Sequence, residues 1–400
     1  MFHLTRNNKV LSSASLLASG LFFSAGALAI DFQAGETNVT IYGFAKLDML
    51  YDIGDIRAGA NGMGESVNYS NIALEGEATT SGHSDLHANE SRIGVRTRTP
   101  TDHGDLMVNI EGDFWTGSLR LRQAYGSWNG LLAGQTWSNF HTFISTTPTL
   151  DFTGPAGRDS FLRQAQLRYS WGKFHVALED PSGAMSGNSF DGGYRGEAGG
   201  RSIAGTDVDR KDGLPDFTIR YESGFDNVKY STAALLRQIA LDDGEADDSV
   251  IGWGVFLAGS IEVTPSTTLR GQIMAGDGLG AYMKLSPSPA AYRTGNELET
   301  IFSWGGTLGI SQDIGPGALS LAYSHVEADW DDALEDGVAL SNGPSGNSYD
   351  NKRDLIHLNY MWNPMESLTY GVEVSHAMRE SIDNRKGNVT RLQGSVIYSF

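Results

Sequence analysis

The side chains of this sequence best suited to chemistry are ten cations: Lys46, Arg92, Arg96, Arg98, Arg120, Arg122, Arg168, Arg220, Arg270 and Arg391. Nearly all lie next to apolar positions on the opposite face, so each segment has a charged face and a greasy one. A guanidinium keeps its charge at any ordinary pH and presents a planar fork of donors that fits carboxylate or phosphate. Gathered on one surface, such groups attract and guide anions; they do not convert them. The competing chemistries are weaker. There is no cysteine, which removes thiolate metal sites and cysteine nucleophiles. No serine, histidine and acid grouping has the setting a nucleophile needs. His83, Asp85 and His87 read as polar loop, and Asp207-x-Asp209-x-x-Asp212 departs from EF-hand spacing. No metal and no cofactor is expected. A formal charge of -19 also argues against nucleic acid as a partner.

The elements carrying these cations have a period of two. Val39, Ile41, Ala45, Leu47, Met49 and Tyr51 share one face, with Lys46 and Asp48 on the other. The same alternation sets Ile93 and Val95 against Arg92 and Arg96, Leu119 and Leu121 against Arg120 and Arg122, and Phe217 and Ile219 against Arg220. It recurs with Leu269 and Ile273 against Arg270, and ends with Leu392, Val396, Tyr398 and Phe400 against Arg391. Short turns near residues 100–104, 128–130, 223–227, 264–266, 313–317 and 363–367 alternate with long connections at 53–89, 139–159, 181–214, 277–298 and 329–349. All the long connections therefore leave from one end. That pattern, with a chain ending inside an aromatic strand, predicts an all-β fold: a transmembrane antiparallel β-barrel of about 16 strands, with short periplasmic turns and long extracellular loops. A barrel of that size leaves an aqueous channel.

Residues 1–29 have a basic start, an apolar middle and an Ala27-Leu28-Ala29 end, the pattern of a signal peptide. Residues 30–38 then form a short periplasmic segment, and 39–400 the barrel. The apolar content of 139–159 suggests a loop that folds inward; a loop packed on a neighbouring subunit fits the sequence equally.

Charge sorting carries the function. The cations fall mainly on the face opposite the apolar one, whereas the acids there are fewer: Asp48, Glu111, Asp113, Glu179 and Glu373. Runs such as Asp242-Asp243-Gly244-Glu245-Ala246-Asp247-Asp248 place most acid in loops. Inward arginines could serve only to pair with those acids and stiffen the wall. Read as a ladder, they favour passage of small anions, dicarboxylates among them, with affinity kept weak so that conduction continues. A general non-selective porin, a barrel-embedded hydrolase and a surface adhesin are the alternatives.

Tyr42-Gly43-Phe44-Ala45-Lys46-Leu47-Asp48, Glu90-Ser91-Arg92-Ile93-Gly94-Val95, Glu111-Gly112-Asp113-Phe114, Leu121-Arg122-Gln123-Ala124-Tyr125-Gly126 and Leu131-Leu132-Ala133-Gly134-Gln135-Thr136-Trp137 closely resemble the DcaP-like outer-membrane porin family. The likeness continues at Arg163-Gln164-Ala165-Gln166-Leu167-Arg168-Tyr169 and loosens through the long loops. The resemblance implies a homotrimer of 16-stranded barrels in the bacterial outer membrane, in contact with its lipid and lipopolysaccharide, passing small anionic compounds, especially dicarboxylates. It places Lys46, Arg92, Arg96, Arg98, Arg120 and Arg122 in the basic pore wall. Family members often carry a helical segment before the barrel, for which residues 30–38 are too short.

Overall fold

The computed structural model describes residues 29–160, 162–181, 210–211, 213–337, 341–342 and 347–400. The expected signal peptide, apart from residue 29, and the Asp207 to Asp212 acids lie outside them.

The dyad pattern folds into one closed antiparallel sheet of sixteen strands. These are β1 (Thr37–Gly54), β2 (His83–His87, resuming as Arg92–Thr99), β3 (Leu106–Asp113) and β4 (Arg120–Trp128). Next come β5 (Leu131–Trp137), β6 (Arg163–Trp171), β7 (Phe174–Glu179) and β8 (Asp216–Phe225). The second half comprises β9 (Val228–Asp242), β10 (Asp247–Thr264), β11 (Thr267–Asp277) and β12 (Phe302–Ile314). It ends with β13 (Gly317–Ala328), β14 (Asp350–Met365), β15 (Leu368–Ser381) and β16 (Lys386–Ser399). Each strand pairs with the next, and β16 closes on β1 from Phe44↔Ser399 to Gly54↔Val389. Closure leaves no open edge, which is what allows a β structure to sit in hydrocarbon. Ile30–Ala34 folds back as a short strand on Thr37 to Ile41, so the segment before the barrel is part of the sheet.

The two faces sort as the alternation predicts. On β12, Phe302, Trp304, Leu308 and Ile310 point out and are exposed, while Ser303 and Thr307 are buried inside. An apolar outer face left bare in this way is stable in lipid and costly in water. Stacked and edge-on rings link Tyr169, Trp171, Phe174, Tyr221, Tyr230 and Phe225 at the short-turn rim, an aromatic girdle of the kind that marks a membrane interface.

Short turns join β2 to β3 and every second pair thereafter. The connections at the other end are numbered L1 to L8 in chain order; L1 (55–82), L3 (138–162), L4 (180–215), L6 (278–301) and L7 (329–349) are long. His83 to His87, expected in the first loop, instead pair with Asp48 to Asp52, because that polar stretch lacks the apolar alternation that would have revealed a strand. L1, L3 and L6 turn into the barrel. Ile56, Met63, Tyr69 and Ile72 of L1, Phe140 and Ala156 of L3 and Tyr282, Met283 and Leu285 of L6 form one apolar cluster with inward Phe256, Met274, Val326, Leu355 and Val389 of the wall. The long-loop half of the lumen is thus a packed core.

Candidate functional site

Below that core, toward the short turns, lies a cavity of about 270 Å³. Strand parity builds its wall. Arg96 from β2, Arg168 from β6, Arg220 from β8, Lys229 from β9 and Arg270 from β11 line it, with three carboxylates, Glu111, Glu222 and Glu262. Its roof is L3, from Ser138 to Ile144. Arg220 donates through Nη1 to Glu222 Oε2 at 2.7 Å, and Arg270 through Nη1 to Ser311 Oγ at 2.9 Å. Arg168 gives its Nε to Gln166 Oε1 at 2.9 Å and its Nη2 to the carbonyl of Trp137. Arg96 lies over the Tyr42 ring at 5.1 Å. Among the described residues, no carboxylate forms an ion pair with Arg96, Arg168 or Lys229. Of the three, Arg168 is buried and met only by neutral acceptors, so its charge is undercompensated, and an anion entering the cavity relieves that deficit.

The other predicted cations lie elsewhere and are matched by acids. Arg122 reaches Glu111 at 2.9 Å and Asp113 at 2.5 Å, Arg120 reaches Asp113 at 2.7 Å, and Arg92 stands 3.5 Å from Glu111. Lys46 pairs with Glu90 and with Asp48 at 3.2 Å, and donates to the Leu150 carbonyl at 3.0 Å. Arg391 forks onto Asp52 at 2.7 and 2.8 Å. Arg98 pairs with Asp105 at the short turn, its side chain 57% exposed. The structure thus brings Arg96, Arg168, Arg220 and Arg270 together and distributes Lys46, Arg92, Arg98, Arg120, Arg122 and Arg391 among ion pairs.

L3 forms the roof because its own charges fix its shape. Arg158 donates to Asp159 through Nε at 3.0 Å and Nη2 at 2.8 Å, and its Nη2 also caps the Thr142 carbonyl at 2.7 Å. His141 Nδ1 lies 2.7 Å from Asp159 Oδ2. Burial pushes the Asp159 carboxyl up, but the Arg158 guanidinium, His141 and the Thr142 amide together more than reverse this and hold it at about 2. Burial, reinforced by Arg158 and Arg220, pulls His141 below the ordinary imidazole value against the opposing field of Asp159. His141 therefore stands neutral, with its Nδ1 facing Asp159. At the loop apex, the amides of Leu150 and Asp151 donate to Glu373 at 2.8 and 3.0 Å. Farther on, Gly157 adopts φ +63, and a Cβ there would lie 1.9 Å from the His325 carbonyl. Gly305 faces it across the wall, so loop and strand backbones touch where no side chain fits.

Sequence reasoning missed Lys229, Glu222 and Glu262. Lys229 shares the inward parity of Ser231 and Arg237 on β9 and was legible by counting from the turn. A bulge between β3 and β4 pairs Glu111 with Gln123 and Gly112 with Leu121, so Arg122 and Gln123 both face inward and parity reverses beyond them.

The model of the family described as DcaP outer membrane protein matches residues 24–400. The chain belongs to that family. Among solved structures, the outer membrane channel DcaP of Acinetobacter baumannii is similar at TM-score 0.75 and 24% identity, over 92% of this chain and 99% of that one. An anion-selective porin from Comamonas acidovorans is similar at TM-score 0.56 and 12% identity, over 91% of this chain and all of the other. The trimer form of OmpT from Vibrio cholerae is similar at TM-score 0.52 and 10% identity, over 92% and 100%. No protein with curated annotation matches the sequence significantly. Family and fold together make this an outer-membrane β-barrel channel, with its short turns periplasmic and its long loops outside.

Proposed function

We propose that the channel passes small anionic solutes passively, dicarboxylates among them, and that the periplasmic cavity sets the preference. The supporting observation is the excess there of five cations over three carboxylates, with Arg96, Arg168 and Lys229 outside any ion pair among the described residues. A low-dielectric wall focuses that field, and two arginines within one cavity suit an anion with a carboxylate at each end. No reaction is involved: the site concentrates and releases. On the same reading the signal peptide is removed near Ala29, and the apolar outer face meets outer-membrane lipid and lipopolysaccharide. The chain assembles as a homotrimer, as OmpT does in its trimer form.

The test is current block. Succinate added to a single channel carrying chloride gives brief interruptions that become rarer in Arg168→Gln combined with Arg220→Gln. Equal block by a neutral diamide of the same length, or block unchanged in the double variant, contradicts the proposal. Cross-linking of purified protein reads the subunit number separately.

A further inference from the structure

The three carboxylates of the periplasmic cavity are not alike. Arg168 and Arg220 line the cavity from the strands on either side of β7. Among the described residues, Arg220 has a carboxylate partner and Arg168 has none. That partner, Glu222, stands two residues along β8 on the same inward face, toward the short turn. Its Oε2 accepts from Arg220 Nη1 at 2.7 Å and from Thr142 Oγ1 of the L3 roof at 3.2 Å. Its backbone amide donates to the Lys173 carbonyl at 3.0 Å, so the strand is fixed and the side chain alone can swing. The Arg220 side chain is 6% exposed and that of Glu222 is 36% exposed, which makes the acid the mobile member of the pair.

Glu222 uses only part of its partner. Arg220 Nε is buried and has no acceptor among the described residues. Glu222 therefore makes one charge-assisted bond where a carboxylate forked onto the guanidinium makes two. The single bond compensates Arg220 in an empty channel, yet it loses to an anion that forks. A carboxylate on a short tether also competes at an effective concentration of about a millimolar or more, so it returns as soon as a visitor loosens. Brief occupancy is what conduction requires.

We propose that Glu222 is a resident competitor for the permeating anion. A dicarboxylate with one end on Arg168 brings its other end to Arg220, takes the guanidinium in place of Glu222, and is expelled when Glu222 swings back. This role rests on the anion reading of the cavity and adds the residue that sets how long the anion stays.

Single-channel recording of the full-length protein in a planar bilayer, in potassium chloride with succinate added, reads the mean duration of each block. Glu222→Gln keeps the shape of the side chain but offers Arg220 a neutral acceptor. Its blocks are expected to last about tenfold longer, the scale set by exchanging a charged acceptor for a neutral one. Loss of a negative charge also lengthens blocks through the field alone, and two further variants separate the effects. Glu262→Gln removes an exposed charge from the same cavity, and no bond joins Glu262 to Arg220 among the described residues. Salt screens such a charge, so its blocks lengthen less than about twofold. Glu222→Asp keeps the charge but draws the carboxylate back by one methylene, and its blocks lengthen nearly as much as those of Glu222→Gln. Blocks of parental length in Glu222→Asp, or equal lengthening in Glu222→Gln and Glu262→Gln, overturn the competitor and leave the anion reading standing. Absence of any succinate block in the parent overturns that reading and the competitor with it. If Glu222→Gln does not fold, Glu222→Asp still decides.

Discussion

The two halves of this lumen use the same residue to opposite ends. In the outer half and at mid-wall, inward arginines meet carboxylates: Arg122 with Glu111 and Asp113, Arg391 with Asp52, Arg353 and Arg379 with Asp350. In the periplasmic half, Arg96 and Arg168 meet an aromatic ring, an amide and a backbone carbonyl. On the proposed function, an inward arginine is structural or conductive according to whether a buried carboxylate pairs with it directly. Counting arginines on a face does not reveal which.

The comparison breaks first at Arg122. Arg122→Ala leaves Glu111 and Asp113 short of a buried partner and is expected to cost about 3–5 kcal/mol. Heat-modified mobility on gels and urea unfolding in lipid read this loss; a variant as stable as the parent would mean that the mid-wall arginines are not structural. Next is the seat of L3. Gly157→Ala forces a Cβ against the His325 carbonyl at a positive φ, for roughly 1–3 kcal/mol of strain. Single-channel current should become noisier as the roof loosens; a quiet trace at parental conductance contradicts the seat.

Acid acts on the same roof more gently. His141, held neutral below its unfolded value of about 6.5, contributes fully above that pH and progressively less as pH falls beneath it. Asp159, held at about 2, contributes fully above its unfolded value of about 3.9 and loses that contribution only as pH falls toward about 2. The thermal midpoint should therefore decline from pH 7 to 5 in the parent and stay flatter in His141→Asn. Matching declines would remove His141 from the account. Smallest of all is Arg98→Gln, an exposed pair worth at most about 1 kcal/mol, which should leave stability and current unchanged.

The barrel was legible because its signal, a period of two with every long connection at one end, is written along the whole chain. The direction of each cation was legible from parity, as at Arg168 and Arg220. Compensation was not, because much of it comes from groups that parity does not place. Asp151 and Asp159 arrive on L3, Asp216 and Asp350 start strands whose ends the loops obscure, and the β4 bulge turns Gln123 inward against the count. The inward fold of L3 could be suspected from its phenylalanines. Its fixation by Glu373 and Arg158 depends on tertiary contacts that no local pattern carries.

The central claim is that uncompensated cations in the periplasmic cavity select the sign of the permeating ion. Reversal potential across a planar bilayer in a potassium chloride gradient tests it, with the parent beside Arg96→Gln/Arg168→Gln and Arg92→Gln/Arg120→Gln. The account predicts an anion-preferring parent, a clear shift toward cations in the first double variant, and a smaller shift in the second, whose arginines are already matched by Glu111 and Asp113. A cation-preferring parent, or a first variant indistinguishable from it, would contradict the account.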